Sequence, residues 1–78
     1  MEIEWKNRGL VIATVGDRSV AIGGEALLDG DPDFLVYAQY VKVWSDGSPL
    51  TDEEKVQLLD DLVEEARRRG WKFQVVWS

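Results

Sequence analysis

Carboxylates are the most abundant side chains in this sequence that could do chemistry, since 15 of the 78 residues are Asp or Glu. The segment at residues 29–33 reads Asp-Gly-Asp-Pro-Asp and spaces three carboxylates as the start of a calcium-binding loop would. That loop also needs a glycine and a bidentate glutamate further on, but the chain has Phe34 and Tyr40 at those positions. We therefore expect no calcium site. Two alternatives remain, a solvated turn and an acidic loop that contacts a basic partner.

Histidine and cysteine are both absent from the sequence. Their absence excludes triads, dyads and zinc sites built on either residue. A pair of carboxylates could still act as acid and base, but such a pair needs a concave, partly apolar cleft that separates the two pKa values. A sheet carrying one helix seldom has such a cleft. We therefore expect a protein without catalytic activity, cofactor or bound metal.

Two consecutive glycines, Gly23 and Gly24, raise the possibility of a loop that holds a phosphate. No lysine follows at the spacing of a phosphate-binding loop, and Glu25 places a negative charge next to the glycines. The pair instead predicts a turn or bulge in which a glycine has a positive backbone φ angle.

The balance of charge constrains the partners of this protein. Nine basic residues against 15 acidic residues give a formal net charge of −6. A negative surface opposes binding to nucleic acid and to anionic lipid, so we expect neither a nucleic acid nor a membrane as partner. A basic protein is the expected partner.

The length and composition predict a single domain over residues 1–78, because a chain of this size supplies one core and no linker or repeat divides it. The sequence begins with neither the basic stretch nor the apolar run of a secretory signal, and no window reaches membrane-spanning length. Cysteine is absent, which fits a reducing compartment. We expect a cytoplasmic protein.

Alternating and β-branched apolar runs between glycine-containing turns predict an antiparallel meander. Ile3 and Trp5 alternate with charged residues, and Gly16-Asp17 suits a tight hairpin. We predict strands near residues 2–6, 9–15, 18–22, 34–44 and 71–77, the fourth of them bent or bulged and central in the sheet.

A helix is predicted over about residues 52–69. Thr51 and Glu54 match a capping box, and Gly70 supplies the stop. An apolar stripe at spacings of three and four is predicted to face the sheet, and it consists of Val56, Leu59, Leu62, Val63 and Ala66. The fold class is therefore α+β, a mainly antiparallel sheet of about five strands in the order β-β-β-β-α-β with one helix on one face.

The outer face of this helix is predicted to be acidic, since a step of about 100° per residue groups six carboxylates there. Two interpretations stay open, a solubilising face and an electrostatic surface that speeds docking to a cationic protein. The six residues are Glu53, Glu54, Asp60, Asp61, Glu64 and Glu65.

Aromatic residues are numerous, with four tryptophans and two tyrosines. Strand alternation predicts that Trp5, Trp71 and Trp77 lie in the core, whereas Trp44 is either an anchor packed under the Asp46 loop or a contact residue. One helix covers only one sheet face, so the other face is expected to be partly apolar and to bind a partner or a second copy. A strongly curled sheet that buries both faces is the alternative.

Five short segments occur in a distinctive order: Val-Ala-Ile-Gly-Gly-Glu at residues 20–25, Asp-Phe-Leu-Val-Tyr at 33–37, Lys-Val-Trp at 42–44, Asp-Gly at 46–47 and Leu-Thr-Asp-Glu-Glu-Lys at 50–55. In this order they resemble the immunity protein 74 family of bacterial polymorphic-toxin systems, over roughly residues 3–77. The resemblance implies a bacterial cytosolic protein that binds and neutralises a cognate toxin without catalysis or cofactor. The positions that match the family pattern either define the fold or touch the toxin, and they are Gly24, Glu25, Trp44, Asp46 and Gly47.

The sequence thus predicts an immunity protein that neutralises a toxin through an acidic surface, with a basic nuclease as one candidate toxin. The alternative is a small structural or adaptor protein that forms a homodimer or larger homo-oligomer through its uncovered sheet face. The residues predicted to bind the partner are Glu25, Asp29, Asp31, Asp33, Tyr37, Trp44 and Asp46.

Overall fold

The N-terminal strands form an antiparallel meander in a computed structural model that describes residues 1–28 and 32–77. Alternation of buried and exposed side chains gives strands β1 (Glu2–Asn7), β2 (Leu10–Val15) and β3 (Arg18–Ala26). Gly16 has a φ angle of 63°, which permits the tight turn between β2 and β3. The predicted hairpin is confirmed.

The sheet continues through β4 (Phe34–Tyr37) and β5 (Phe73–Val76), and its spatial order follows the chain, β1-β2-β3-β4-β5. Only the β4–β5 pair is parallel, because helix α1 (Asp52–Arg68) carries the chain back across the sheet. The predicted α+β class and the order β-β-β-β-α-β are confirmed.

The predicted long strand over residues 34–44 is wrong beyond Tyr37. A 3₁₀ helix spans Ala38–Tyr40, where the carbonyl of Ala38 accepts a hydrogen bond of 3.0 Å from the amide of Val41. This turn directs Ala38 and Val41 into the core, which explains why the apolar run continues after the strand has ended. β4 is flanked by β3 and β5, but β3 is the middle strand.

Helix α1 begins at a complete capping box. The amide of Glu54 donates to the Thr51 hydroxyl at 3.1 Å, and the amide of Thr51 donates to the Glu54 carboxylate at 2.9 Å. The predicted apolar stripe is shifted, however, because Leu58 is buried and Val56 is 49% exposed. Compared with the predicted orientation, the helix is therefore rotated about its own axis, so that its buried side is nearer the β2–β3 turn.

One hydrophobic core lies between the helix and the sheet, and its largest buried members include Phe34, Ile22, Leu59 and Leu62. Trp5 packs edge-on against three rings, those of Phe34, Trp71 and Phe73, with centroids 5.3, 5.6 and 5.5 Å away. These contacts confirm Trp5 and Trp71 as parts of the core or its border. The prediction that Trp77 is also buried is wrong.

Trp77 is 52% exposed because β5 ends at Val76, its last residue paired with β4. The side chain therefore lies past the end of the sheet.

No helix in the described part of the chain is long and apolar enough to cross a membrane.

Gly23 and Gly24 lie inside β3, so the predicted turn with a positive φ angle is wrong. Gly24 pairs with Val36 of β4, and its amide donates a hydrogen bond of 2.9 Å to the carbonyl of Gly9. A Cβ atom on Gly24 would lie 2.0 Å from the Leu35 carbonyl oxygen and 2.7 Å from the Phe34 ring. Glycine is required here for close packing of two strands and an aromatic ring.

Candidate partner-binding surfaces

Of the seven residues predicted to bind a partner, five lie in the described part of the chain, and these five do not form a single cluster. Asp29 and Asp31 lie outside the described residues. Glu25 and Asp33 lie near the β3–β4 connection, since Glu25 pairs with Leu35 and the Leu27 amide donates to the Asp33 carbonyl at 3.3 Å. Of the other three predicted residues, Tyr37 lies on the same sheet face as Glu25, whereas Trp44 and Asp46 lie in and beside the loop before the helix.

Asp33 has a structural role that the sequence did not indicate. Its carboxylate accepts a hydrogen bond of 2.7 Å from the amide of Lys72, and its own amide donates to the Lys72 carbonyl at 2.8 Å. These bonds fix the start of β4 beside the start of β5. Glu25, by contrast, is exposed on the sheet face opposite the helix.

Tyr37 is half-buried on that same uncovered face, where its ring meets the ring of Tyr40 edge-on with centroids 6.1 Å apart. The face also carries aliphatic side chains, which match the predicted apolar character and not a sheet curled to bury both sides. Carboxylates of β1 and β3 interrupt the apolar area. The strand pairs place on this face Glu2, Glu4, Leu10, Ile12, Thr14, Ser19, Ala21, Gly23, Glu25, Leu35, Tyr37, Gln74 and Val76.

Trp44 packs as an anchor under the Asp46 loop, since it is only 7% exposed. The loop that follows it docks on the β2–β3 hairpin, where the Ser45 amide donates to the Ser19 carbonyl at 2.8 Å and the two hydroxyls lie 3.0 Å apart. Trp44 therefore closes one end of the core between the hairpin and the helix N-terminus.

Asp46 shapes this loop. Its carboxylate accepts hydrogen bonds from the hydroxyl and the amide of Ser48, the latter at 2.9 Å. The Ser48 hydroxyl is the main reason that the pKa of Asp46 is below its ordinary value of 3.8. The next residue, Gly47, has a φ angle of 90°, so the Asp-Gly pair serves the turn.

Arg18, which the sequence reading missed, connects the hairpin to the loop and the helix. Its guanidinium lies over the Trp44 ring, 4.0 Å from the ring centroid, and its Nη1 atom is 3.5 Å from a Glu54 carboxylate oxygen. The pKa of Glu54 is below its ordinary value of 4.5, first because the Thr51 amide donates to it, with smaller contributions from Trp44 and Arg18. Glu54 thus belongs to both the capping box and the Arg18 contact.

The indole N–H of Trp44 is buried and has no hydrogen-bond acceptor among the described residues. The indole N–H lies close enough to the Glu54 carboxylate to lower the pKa of Glu54, but the two groups do not have the geometry of a hydrogen bond. A buried donor without a partner costs about 1–3 kcal/mol, so such groups are rare in folded proteins.

A groove beside this tryptophan runs along the flank of α1 that faces the end of β2. The part nearest Trp44 has a volume of about 480 Å³ and mainly apolar walls, including Val15, which is 40% exposed. A second cleft of about 180 Å³ shares Val15 and Asp61 with the first and extends it toward Glu64 and Arg68. We call this continuous feature the helix-flank groove, lined by Met1, Val15, Arg18, Trp44, Glu53, Glu54, Gln57, Leu58, Asp61, Glu64, Glu65 and Arg68.

The carboxylates along the groove differ in how they are used. Glu65 accepts a hydrogen bond of 3.1 Å from Arg69, which is the main reason that its pKa is below the ordinary value of 4.5. Glu53 and Asp61 form no ion pair with any described residue, and the Asp61 carboxylate receives only a neutral hydrogen bond of 2.9 Å from Gln57. The groove therefore presents negative charge that the chain itself does not neutralise.

The sequence predicted these acidic residues but not the groove. The amphipathic pattern placed Glu54 and Glu65 on the outer helix face, whereas both are partly buried on its flank. The alternation in β2 did carry a signal for the groove. Val15 points to the same side of the strand as the buried Val11 and Ala13, but it ends β2 at the turn, so its side chain is exposed beside the helix. No group of three or more Asp or Glu residues in the described part of the chain is placed to hold a metal ion.

Comparison with known proteins adds the family. The model of a family described as immunity protein 74 matches residues 2–76, which is essentially the whole chain. No curated protein and no solved structure matches the chain.

Proposed function

This chain belongs to the immunity protein 74 family, and we propose that it binds and neutralises a cognate bacterial toxin through an acidic surface, without catalysis. The observation that carries the acidic surface is the set of unpaired carboxylates on helix α1, in a chain of net charge −6. Cationic proteins are attracted to such a surface from a distance, which raises the association rate.

An acidic surface suits an inhibitor that acts by occupying the toxin's substrate-binding surface. An enzyme that acts on nucleic acid needs a cationic surface to hold phosphates, so a basic nuclease is the toxin class that an acidic inhibitor would block most directly. The inhibitor would cover the phosphate-binding surface in the cytoplasm of the producing cell. The carboxylates with shifted pKa values, those of Asp46, Glu54 and Glu65, are all shifted downward and stay ionised at neutral pH, which suits charge recognition better than acid catalysis.

The test uses the toxin domain encoded next to this chain's gene, purified with its active site inactivated. Calorimetry at low and high salt is expected to give a complex in both, with weaker affinity and slower association at high salt. Co-expression of this chain with the active toxin is expected to restore growth of the cells. Absence of binding at either salt concentration would reject the proposal.

A homo-oligomeric protein is the second candidate, and the half-buried aliphatic and aromatic side chains of the uncovered sheet face favour it. The face also carries the exposed carboxylates of Glu2, Glu4 and Glu25, which a two-fold dimer through this face would bring close to the second copy. Light scattering across a dilution series separates the candidates, since a dimer that persists at nanomolar concentration would favour self-association and a monomer would leave the face open.

A further inference from the structure

The helix-flank groove combines three features. Its floor is apolar at Val15, Leu58 and Trp44, and its rim carries the unneutralised carboxylates of Glu53 and Asp61. The third feature is the Trp44 indole N–H, a donor on a side chain more than nine-tenths buried that lacks an acceptor among the described residues. The apolar floor, the acidic rim and the unpaired donor would each bind a different chemical group of the same partner.

We propose that the helix-flank groove is the docking site for a segment of the toxin in which basic side chains alternate with apolar ones. This inference rests on the proposed function and names the surface that performs it. The basic side chains pair with Glu53 and Asp61, an apolar side chain covers Val15 and Leu58, and a backbone carbonyl of the segment accepts from the Trp44 indole.

The charge pattern identifies the occupant as a cationic partner and not a second copy of this chain. A second acidic helix placed along the groove would bring like charges together, which opposes association. Arg18 and Arg68 do not offset this, because the Arg18 guanidinium is already engaged with Trp44 and Glu54 and that of Arg68 lies 3.6 Å from the Glu65 carboxylate. A lysine or arginine from outside meets free carboxylates instead.

The indole adds a geometric requirement. Its nitrogen is covered in the free protein, so an acceptor reaches it only when neighbouring side chains shift on binding, and the Arg18 guanidinium stacked on the ring is one such neighbour. Side-chain shifts of this kind are common at interfaces where the backbone stays fixed. Pairing the buried donor removes a penalty of the free state, and this gain appears only in the complex.

Neutralising variants test the rim with a matched control. In calorimetry with the inactivated toxin, Glu53→Gln combined with Asp61→Asn is expected to weaken the Kd by at least about tenfold. The control, Glu4→Gln combined with Asp17→Asn, makes the same change in net charge at exposed positions outside the groove and is expected to change Kd by less than about threefold. Equal losses in both double variants, or no loss in the first, would overturn the groove while the proposed function stands.

Two lysine substitutions test the floor in the same way. Val15→Lys places a charge in the groove and is expected to weaken binding by about tenfold or more, whereas Val56→Lys, at an exposed position outside the groove, is expected to leave Kd nearly unchanged. Circular dichroism confirms that each variant folds. Failure of the unsubstituted chain to bind the toxin would refute the proposed function and this inference together, a result distinct from failure of the groove alone.

The indole is tested by NMR of the ¹⁵N-labelled chain. Addition of the inactivated toxin is expected to move the Trp44 side-chain N–H resonance downfield, as an indole does when it gains a hydrogen bond. A synthetic peptide of alternating lysine and leucine, used as a toxin-independent probe, is expected to shift the resonances of Val15, Leu58 and Asp61. Shifts confined to the uncovered sheet face, or an unmoved Trp44 resonance in the toxin complex, would overturn the proposal.

Discussion

The guanidinium of Arg18 lies 4.0 Å from the centre of the Trp44 ring and joins two parts of the chain that the sequence separates by 26 positions. Trp44 packs beneath the loop before the helix, and Arg18 starts the strand that crosses the middle of the sheet. Because the same guanidinium is 3.5 Å from Glu54, the hairpin, the loop and the helix N-terminus meet at one place.

Arg18→Ala is expected to lower the free energy of unfolding by about 1–2 kcal/mol, because it removes a partly desolvated cation–π contact and a weak ion pair. Arg18→Lys is expected to recover less than half of this loss, since an ammonium group does not stack on a ring as a guanidinium does. Urea denaturation measures both. Arg8→Ala, at an exposed turn position, is the control, and an equal loss there would contradict the assignment.

Gly24→Ala is expected to destabilise the protein by about 3 kcal/mol, because the new methyl group would overlap the Leu35 carbonyl and the Phe34 ring. Gly23→Ala is the matched control, since a Cβ there meets nothing within 4 Å and the backbone is extended. Its effect is expected to stay within about 0.5 kcal/mol. Thermal unfolding of the two variants compares them, and equal effects would show that the strand does not need close approach at Gly24.

Trp44→Phe and Trp44→Ala separate packing from hydrogen bonding. The alanine variant removes a buried ring and is expected to cost about 3–5 kcal/mol. The phenylalanine variant keeps much of the ring volume and removes the unpaired N–H, so it is expected to cost less than about 1.5 kcal/mol. Denaturation followed by circular dichroism measures both, and a phenylalanine variant as unstable as the alanine variant would contradict an unpaired indole.

Acid is expected to destabilise the fold. Because the pKa values of Asp46, Glu54 and Glu65 are lower in the folded state than their ordinary values of 3.8 and 4.5, the folded state favours the ionised carboxylates. Their contribution is complete above about pH 5 and is lost as the pH falls through the lowered values. Chemical denaturation between pH 7 and pH 3 is expected to show this decline.

Asp46→Asn is expected to make the decline shallower, because the amide keeps an acceptor for the Ser48 backbone but no longer titrates. Asp60→Asn removes the same charge from an exposed helix position and serves as the control. An identical pH profile for wild type and Asp46→Asn would contradict the role of the Ser48 hydrogen bonds.

The structure also explains the positions that carry the resemblance to the family. Of the five positions that matched the family pattern, four have structural roles: close packing at Gly24, burial at Trp44, a loop hydrogen bond at Asp46 and a φ angle of 90° at Gly47. Glu25 alone is exposed without such a role in the described part of the chain. These positions therefore identify the fold more directly than they identify a binding surface.

Local signals in the sequence were sufficient for most of the elements, though not for the end of β4 at Tyr37. The capping box at Thr51, the turn at Gly16 and the strand alternation around Ile3 each depend on neighbours a few residues away, so the helix start, the hairpin and the α+β order followed from the sequence. The same reasoning placed the acidic residues on the helix. It could not predict which residues of the strands and loops lie beside these acidic residues.

Tertiary packing decided the rest. The rotation of the helix that exposes Val56 and buries Leu58, the Phe34 ring that requires Gly24, and the contact of Arg18 with Trp44 all depend on residues far apart in the chain. Periodicity gives the direction of a side chain relative to its own helix or strand, but a groove forms only where two such elements meet at a particular angle and distance. The sequence by itself determined most of the elements and how much negative charge they carry, whereas the packed structure decided where β4 ends and brought that charge together with an apolar floor and a buried indole.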